Sequence, residues 1–342
     1  MRIDLPISSQ KPLLGAHVSA TQDNHYGIDR ARTLGINCAQ IFGTNKIQWK
    51  PRDYTTDQVA AFRSARTAAG IGPIFSHGIY LINLGARDEN PDVYEKSVHA
   101  LAAGLKICAL LGLDGVIFHL GSNYGLGLGG VLDSVVSGLA RARDLSECDV
   151  PLLLENSAGS ERVIGGRFTD FDAIINELHG DSRLRVCVDT AHAFAFGYDL
   201  ARPGGLEQMT AEIEANIGFD RVAALHLNDS EVECGRGLDR HANLGEGHIG
   251  YDGLAGVLNH PQIRGLPVLL ETPGFDGNGP DQGNVEIMRS LAGHLDVEPS
   301  VLARRAKRRV AYRARQLALR RTNRTRADSK RAINSRKGKT VT

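Results

Sequence analysis

The chain has 342 residues, 42% of them hydrophobic, and Lys and Arg balance Asp and Glu to a formal net charge of +1. That is apolar material enough for one large domain, while the absence of an apolar run of about 20 residues and of a signal-peptide pattern excludes a membrane span and a secretory leader from the sequence as read, so a soluble, intracellular protein is expected. Five cysteines (Cys38, Cys108, Cys148, Cys187, Cys234) are odd in number and form no C-x-x-C pair, which excludes a disulfide framework and a cysteine zinc knuckle.

Residues 1–12 read as an N-terminal arm. After it, short β-branched or leucine-rich segments alternate with stretches of helical spacing. The first strand is expected over Leu13–Ser19, with His17 near its end, and the second over Cys38–Gly43, followed by a helix over Thr56–Ala69. Pro73–Gly78 is a strand carrying His77, and a helix follows over Pro91–Leu111. Val116–Gly121 carries His119 and precedes a helix over Val131–Leu145; Pro151–Asn156 carries Glu155 and precedes a helix over Phe168–His179. Leu184–Thr190 with Asp189, Val222–Asn228 with His226 and Pro267–Thr272 with Glu271 complete the set. Runs apolar on both faces suit buried parallel strands, and strand and helix alternating eight times predict an α/β fold, a closed (β/α)8 TIM barrel over residues 13–298.

Such barrels place their chemistry after the C-terminal ends of the strands. Seven of the eight predicted strands carry a His, Asp or Glu there. Six of these, His17 set aside, make nine metal-competent side chains with His192, Asp239 and His241: His77, His119, Glu155, Asp189, His192, His226, Asp239, His241 and Glu271. A single His or Asp ending a strand is ordinarily just a hydrogen-bonded residue; seven converging on one barrel mouth point to a site. Five histidines and four carboxylates without a cysteine suit divalent zinc or manganese in a hydrolytic centre, with ligands enough for more than one ion. His17 is expected beside the ligands, outside the set, and His25, His99, His179, His248 and His260 fall in helical or turn contexts as ordinary surface or packing residues.

Residues 299–342 form a basic tail, expected to be partly helical and partly disordered. From 301 onward it holds 16 Lys and Arg against one acid, Asp328, leaving 24 basic and 38 acidic residues in 1–300. Its first half has a thin apolar stripe at helical spacing (Leu302, Ala306, Val310, Ala314, Leu317). Its cations, Arg304, Arg305, Lys307, Arg308, Arg309, Arg320, Arg321 and Arg324, suit a nucleic-acid tether, with a solvated tail and a localisation signal as the other readings. The acidic body is compatible with a polyanionic substrate once divalent ions are counted.

Several stretches resemble the signatures of the endonuclease IV family of apurinic/apyrimidinic endonucleases: His77–Gly85 (HGIYLINLG), Val186–His192 (VCVDTAH), and Leu225–Ser230 (LHLNDS) running on to Gly235 and Asp239–His241 (DRH). Gly15–Ser19, Phe118–Ser122, Leu154–Ser157, Asn243–Gly247 and Leu270–Thr272 match as well, so the resemblance covers residues 13 to 295. It implies three zinc ions per chain, replaceable by manganese or iron. His77 and His119 would hold one, Glu155 would bridge it to a second held also by Asp189, His226 and Glu271, and His192, Asp239 and His241 would hold the third. It further implies incision 5′ to an abasic site in double-stranded DNA, leaving a 3′-hydroxyl and a 5′-deoxyribose phosphate, with Glu155 and Glu271 catalytic. Asn45, Ile47, Gln48, Tyr80 and Leu81 would contact DNA, with Trp49 in the same loop. A monomer is implied, cytoplasmic and nucleoid-associated in a prokaryotic cell or nuclear in a eukaryotic one.

The chain departs from the family at Ile47, where relatives carry an arginine that enters the DNA. Lys46 could supply that charge, or Ile47 could act as an apolar wedge. Ala191 stands for a usual cysteine, Glu231 for a usual lysine and Arg236 for a small residue. An ultraviolet-damage endonuclease, a metal-dependent sugar isomerase or epimerase, and a non-catalytic DNA-binding protein are the alternatives. The sugar enzymes would leave His192, Asp239 and His241 without a purpose.

Overall fold

The computed structural model describes residues 12–19, 24–160, 162–315 and 318. In chain order, β1 (Leu14–His17), α1 (Asn24–Leu34), β2 (Cys38–Ile41), α2 (Thr56–Ala69), β3 (Ile74–His77) and α3 (Pro91–Leu111) are followed by β4 (Val116–Phe118), α4 (Leu132–Ser146), β5 (Leu152–Glu155) and α5 (Phe168–Glu177). Then come β6 (Leu184–Asp189), α6 (Thr190–Phe196), α7 (Pro203–Asn216), β7 (Val222–His226), β8 (Asp229–Ser230), β9 (His241–Ala242), α8 (Gly250–Asn259), β10 (Val268–Leu270) and α9 (Gln282–Leu291). A last helix, α10, occupies 299–315.

Eight parallel strands close in the order β1-β10-β7-β6-β5-β4-β3-β2, and β8 and β9 make a separate antiparallel pair. The expected TIM barrel is therefore present, each expected strand containing an observed one. The expected helices over 56–69 and 91–111 match in full; those over 131–145 and 168–179 shift by a residue or two at their ends.

Local chemistry sets the helix limits. Thr55 and Gln58 form a reciprocal capping box at the start of α2, and Gly70 ends that helix in the left-handed conformation. Asn90 caps α3 ahead of Pro91, and Gly112 ends it in the same way.

Two apolar layers hold the fold. The larger lies between the strands and the surrounding helices and includes Phe62, Tyr94, Leu101, Leu105, Phe168 and Phe171. At roughly 1.5–3 kcal/mol for each large side chain removed from water, such residues dominate the stability. The smaller plugs the barrel lumen: Cys38, Phe75, Ile117, Leu153, Cys187, Ala224 and Leu269, one from each of seven strands. On β1 the corresponding position is Gly15, where a Cβ would come within 2.4 Å of the Cys38 carbonyl oxygen, so no larger residue fits.

The expected N-terminal arm falls outside the described residues apart from Pro12, as do Leu317, Arg320, Arg321 and Arg324. Leu302 and Ala306, two residues of the expected apolar stripe, are buried together with Ala303, whereas Val310 is half-buried and Ala314 exposed.

Candidate metal centre

Strand side chains alternate between faces, so the residue two positions beyond each lumen residue also faces the lumen, one layer nearer the mouth. Two residues beyond Cys38, Phe75, Ile117, Leu153, Cys187, Ala224 and Leu269 lie Gln40, His77, His119, Glu155, Asp189, His226 and Glu271. His17 takes that place on β1, two residues beyond Gly15. A polar layer thus rests on an apolar plug, which denies it water from below.

The donors fall into three groups whose ligand atoms lie within 4.8 Å of one another: His77, His119 and Glu155; Glu155, Asp189, His226 and Glu271; and Asp189, His192 and His241. Glu155, fully buried, divides its oxygens between two of them. Its Oε2 faces His77 Nε2 at 3.2 Å and His119 Nε2 at 3.5 Å, while Oε1 faces His226 Nδ1 at 2.9 Å. Asp239, half exposed at the mouth, completes the outer group: its Oδ1 lies 3.2 Å from His192 Nε2 and 3.3 Å from His241 Nε2, and those two nitrogens are 3.4 Å apart.

Local structure aims these groups. Asp189 ends β6 and caps α6, accepting from the His192 backbone N–H at 2.8 Å, so one carboxylate places the next donor along the chain. The β8–β9 pair bridges the excursion that carries Asp239 and joins Ser230 to His241. Buried Asp229 accepts backbone N–H groups from Gly245, Gly247, Ile249 and Gly250, which fixes the connection into α8.

Three ring orientations are set by hydrogen bonds on the far nitrogen. His77 Nδ1 donates to the Gly78 carbonyl at 2.7 Å, His192 Nδ1 to the Asn156 carbonyl at 2.9 Å, and His226 Nε2 to Gln40 Oε1 at 2.8 Å. Each then presents a lone pair to the cluster from its other nitrogen, the arrangement expected of metal-binding imidazoles. Buried carboxylates are similarly held: Asn228 Nδ2 donates to Asp189 Oδ2 at 2.7 Å, and its Oδ1 accepts from the Glu271 backbone N–H at 2.9 Å. Oxygen and nitrogen donors with fixed tautomers fit divalent zinc or manganese.

The electrostatics point the same way. Burial works against a charged Glu155, yet His119 and His226 hold its carboxyl well below the usual carboxylate range. Glu271, also opposed by burial, is lowered by His226 and His17. Burial likewise disfavours charge on His192, but Asp189, Asp239 and Glu155 raise it to about 10. The pocket therefore holds a positive charge strongly, and a divalent ion would displace protons from it.

All nine sequence-predicted donors gather here, and His17 is tied to the cluster through Glu271 Oε1 at 3.2 Å. Sequence reasoning missed Gln40, which donates from Nε2 to Glu271 and contacts His17 Nδ1 at 2.8 Å. It also missed Asn156 and Asn228. The available signals were a glutamine inside an apolar strand and an asparagine directly after Glu155. Of the predicted DNA-contacting residues, Asn45, Gln48 and Tyr80 line the mouth, a cleft of about 1510 Å³. Ile47 and Tyr80 are 64% and 55% exposed; Leu81 is half-buried against the core. Lys46 Nζ lies 5.6 Å from the centre of the Tyr80 ring. His99, His179 and His248 are exposed, and none belongs to the three donor groups.

Residues 28–294 match a family described as AP endonuclease 2, xylose isomerase-like TIM barrel. A probable endonuclease 4 of Methanoculleus marisnigri is 40% identical over 282 residues, covering 82% of this chain and 99% of the relative. The chain belongs to the endonuclease IV family. Another member, a probable endonuclease 4 of Halorhodospira halophila, is 40% identical over 77% of this chain and 88% of its own length. The crystal structure of endonuclease IV from Thermus thermophilus superposes with a TM-score of 0.73 at 34% identity, covering 83% of this chain and all of that one. The family match ends before α10 begins.

Proposed function

We propose that this protein is a metal-dependent apurinic/apyrimidinic endonuclease of base excision repair, hydrolysing the phosphodiester 5′ to an abasic site in double-stranded DNA to leave a 3′-hydroxyl and a 5′-deoxyribose phosphate. The reading is carried by the complete nine-donor set at the mouth of a barrel 40% identical to proteins named probable endonuclease 4. A sugar isomerase on the same barrel would give Asp239, His192 and His241 no task.

His77, His119 and Glu155 would hold one ion, Glu155, Asp189, His226 and Glu271 a second, and His192, Asp239 and His241 a third, zinc being the best fit to the donors. Bound divalent ions would supply charge neutralisation on the phosphate and acidify a water to a pKa of roughly 7. Glu271, lining the cleft and held by Gln40 and His17, would orient the attacking water. Glu155 keeps two donor groups at a fixed separation. Asn45, Gln48, Ile47 and Tyr80 on the rim bear on the DNA around the lesion. A nucleotide lacking its base has no stacking or pairing to forfeit, so turning it into the cleft costs less than the few kcal/mol an intact one requires. A DNA substrate is consistent with a protein that acts in the cytoplasm with the nucleoid, or in the nucleus of a eukaryote, and the family resemblance implies a monomer.

The test is incision of a duplex with one central abasic analogue, with metal content measured on the same sample. A 5′ nick, close to three metals per chain and loss of activity on prolonged chelation are expected. Full metal loading without a nick would overturn the reading.

A further inference from the structure

We propose that α10 is a second DNA-contacting element, a cationic helix that lies along the phosphate backbone of the duplex flanking the lesion. The proposal rests on the reading of the barrel mouth as an abasic-DNA site. The helix leaves the foot of the barrel, where Ser290 Oγ at the end of α9 donates to the Val297 carbonyl. Leu302, Ala303 and Ala306 are then buried against the body. By Ala306 it has reached the first turn of α9: a Cβ on Gly283 would sit 2.5 Å from the Ala306 Cβ and 2.9 Å from Phe275. α10 therefore runs antiparallel to α9, towards the mouth.

Two ion pairs fasten it at that level, Lys307 with Glu246 and Arg309 with Glu286 at 3.9 Å. Phe275 and Glu246 belong to the two connections whose other residues, Gly277–Pro280 and Asp239–His241, rim the cleft. From Lys307 to Arg315 the helix continues for about 13 Å at 1.5 Å per residue. No Asp or Glu occurs between 299 and 315. Arg304, Arg305, Arg308, Arg313 and Arg315 are exposed and, among the described residues, have no carboxylate partner.

The cleft has cations of its own on the β1 and β2 side: Arg30, which donates to the Pro280 carbonyl at 3.3 Å, and Lys46, Lys50 and Arg52 of the β2–α2 connection. These cations line the cleft. Helix and rim thus each present cations on a body with 38 acids against 24 bases in residues 1–300, and a duplex seated in the cleft offers its flanking phosphates to the helix. A DNA strand carries a phosphate every 3.4 Å, and about 13 Å of helix covers about four of them.

The experiment compares the full chain with R308Q/R313Q/R315Q. Affinity is measured against salt for abasic duplexes of about 30 bp, which reach α10, and about 10 bp, which do not. For the native chain the slope of log K against log[salt] should be steeper on the long duplex. In the glutamine variant that difference should shrink by up to about 0.9 per lost phosphate contact, and R308K/R313K/R315K should restore it. An unchanged long-duplex slope in a natively folded variant overturns the proposal, and so does an equal loss on both lengths. If the native chain nicks no abasic duplex while the slope still falls, the catalytic reading fails and the contact made by α10 stands.

Discussion

Gln40 lies where three side chains of the cluster meet and hydrogen-bonds or contacts each of them. Its oxygen accepts the hydrogen bond of the His226 Nε2–H, and its amide nitrogen reaches Glu271 and His17. In Gln40→Ala a buried imidazole N–H and a carboxylate oxygen lose their partner, and outer partners of metal ligands are worth 10–100-fold in affinity. The alanine variant should give up its metal to a chelator at roughly 10–100-fold lower competitor concentration, and metal retention equal to the native chain would refute the role. Glu271→Gln keeps size and hydrogen-bonding reach but removes the negative charge that would orient the attacking water. Its incision rate should fall by about 10²-fold or more while duplex binding persists, measured by single-turnover nicking alongside a binding assay. The nine donors were legible because each closes an apolar run or stands in a signature stretch. Gln40 was not, because its value lies in partners as far as 231 residues away in sequence.

At the scale of elements, the connections carry what the strands cannot. The β2–α2 connection and the turn after β3 meet through the Tyr80 backbone N–H, which donates to the Lys46 carbonyl at 2.9 Å, so Ile47 and Tyr80 project from one joined rim. Both are largely exposed apolar or aromatic groups, and under the proposed function truncating either would remove a contact with DNA while leaving the buried core in place. Tyr80→Ala and Ile47→Ala are each expected to lower incision of abasic duplex by about 10-fold, the loss of one stacking or wedge contact of about 1–3 kcal/mol, with metal content unchanged. Parallel loss of metal would make the residue structural instead. The helix limits at Thr55, Gly70, Asn90 and Gly112 could be read because capping is local. The direction of α10 could not: its apolar stripe announced a docked face, and only the seat at Gly283 and Phe275 shows which way it runs.

The whole molecule couples its metal centre to its stability. In the metal-free protein His192 is raised from 6.5 to about 10, so its stabilising contribution is complete below about pH 6.5 and is lost as pH rises through about 10. Glu155 and Glu271 are lowered below 4.5, so their contribution is present above that value and lost as pH falls beneath it. The melting temperature of chelator-treated protein should therefore decline from neutrality towards pH 10 and again in acid. The metal-loaded protein should lose less on the alkaline side, where its imidazoles are committed to the ions. A flat alkaline profile without metal would sink the argument.

By itself the sequence determined the alternation of strand and helix, hence the barrel, and singled out six candidate donors at strand ends and three more in signature stretches, because strand periodicity, strand ends and short motifs are properties of neighbouring residues. The opposite charges of body and tail are likewise a matter of composition. Only the tertiary structure decided which Glu155 oxygen faces which histidine, which imidazole nitrogen donates a hydrogen bond away from the cluster, that Gln40 joins the cluster, and that a basic helix packs on the first turn of α9. Those facts depend on atoms brought together by closure of the barrel from segments far apart in the chain, and no local pattern encodes such distances.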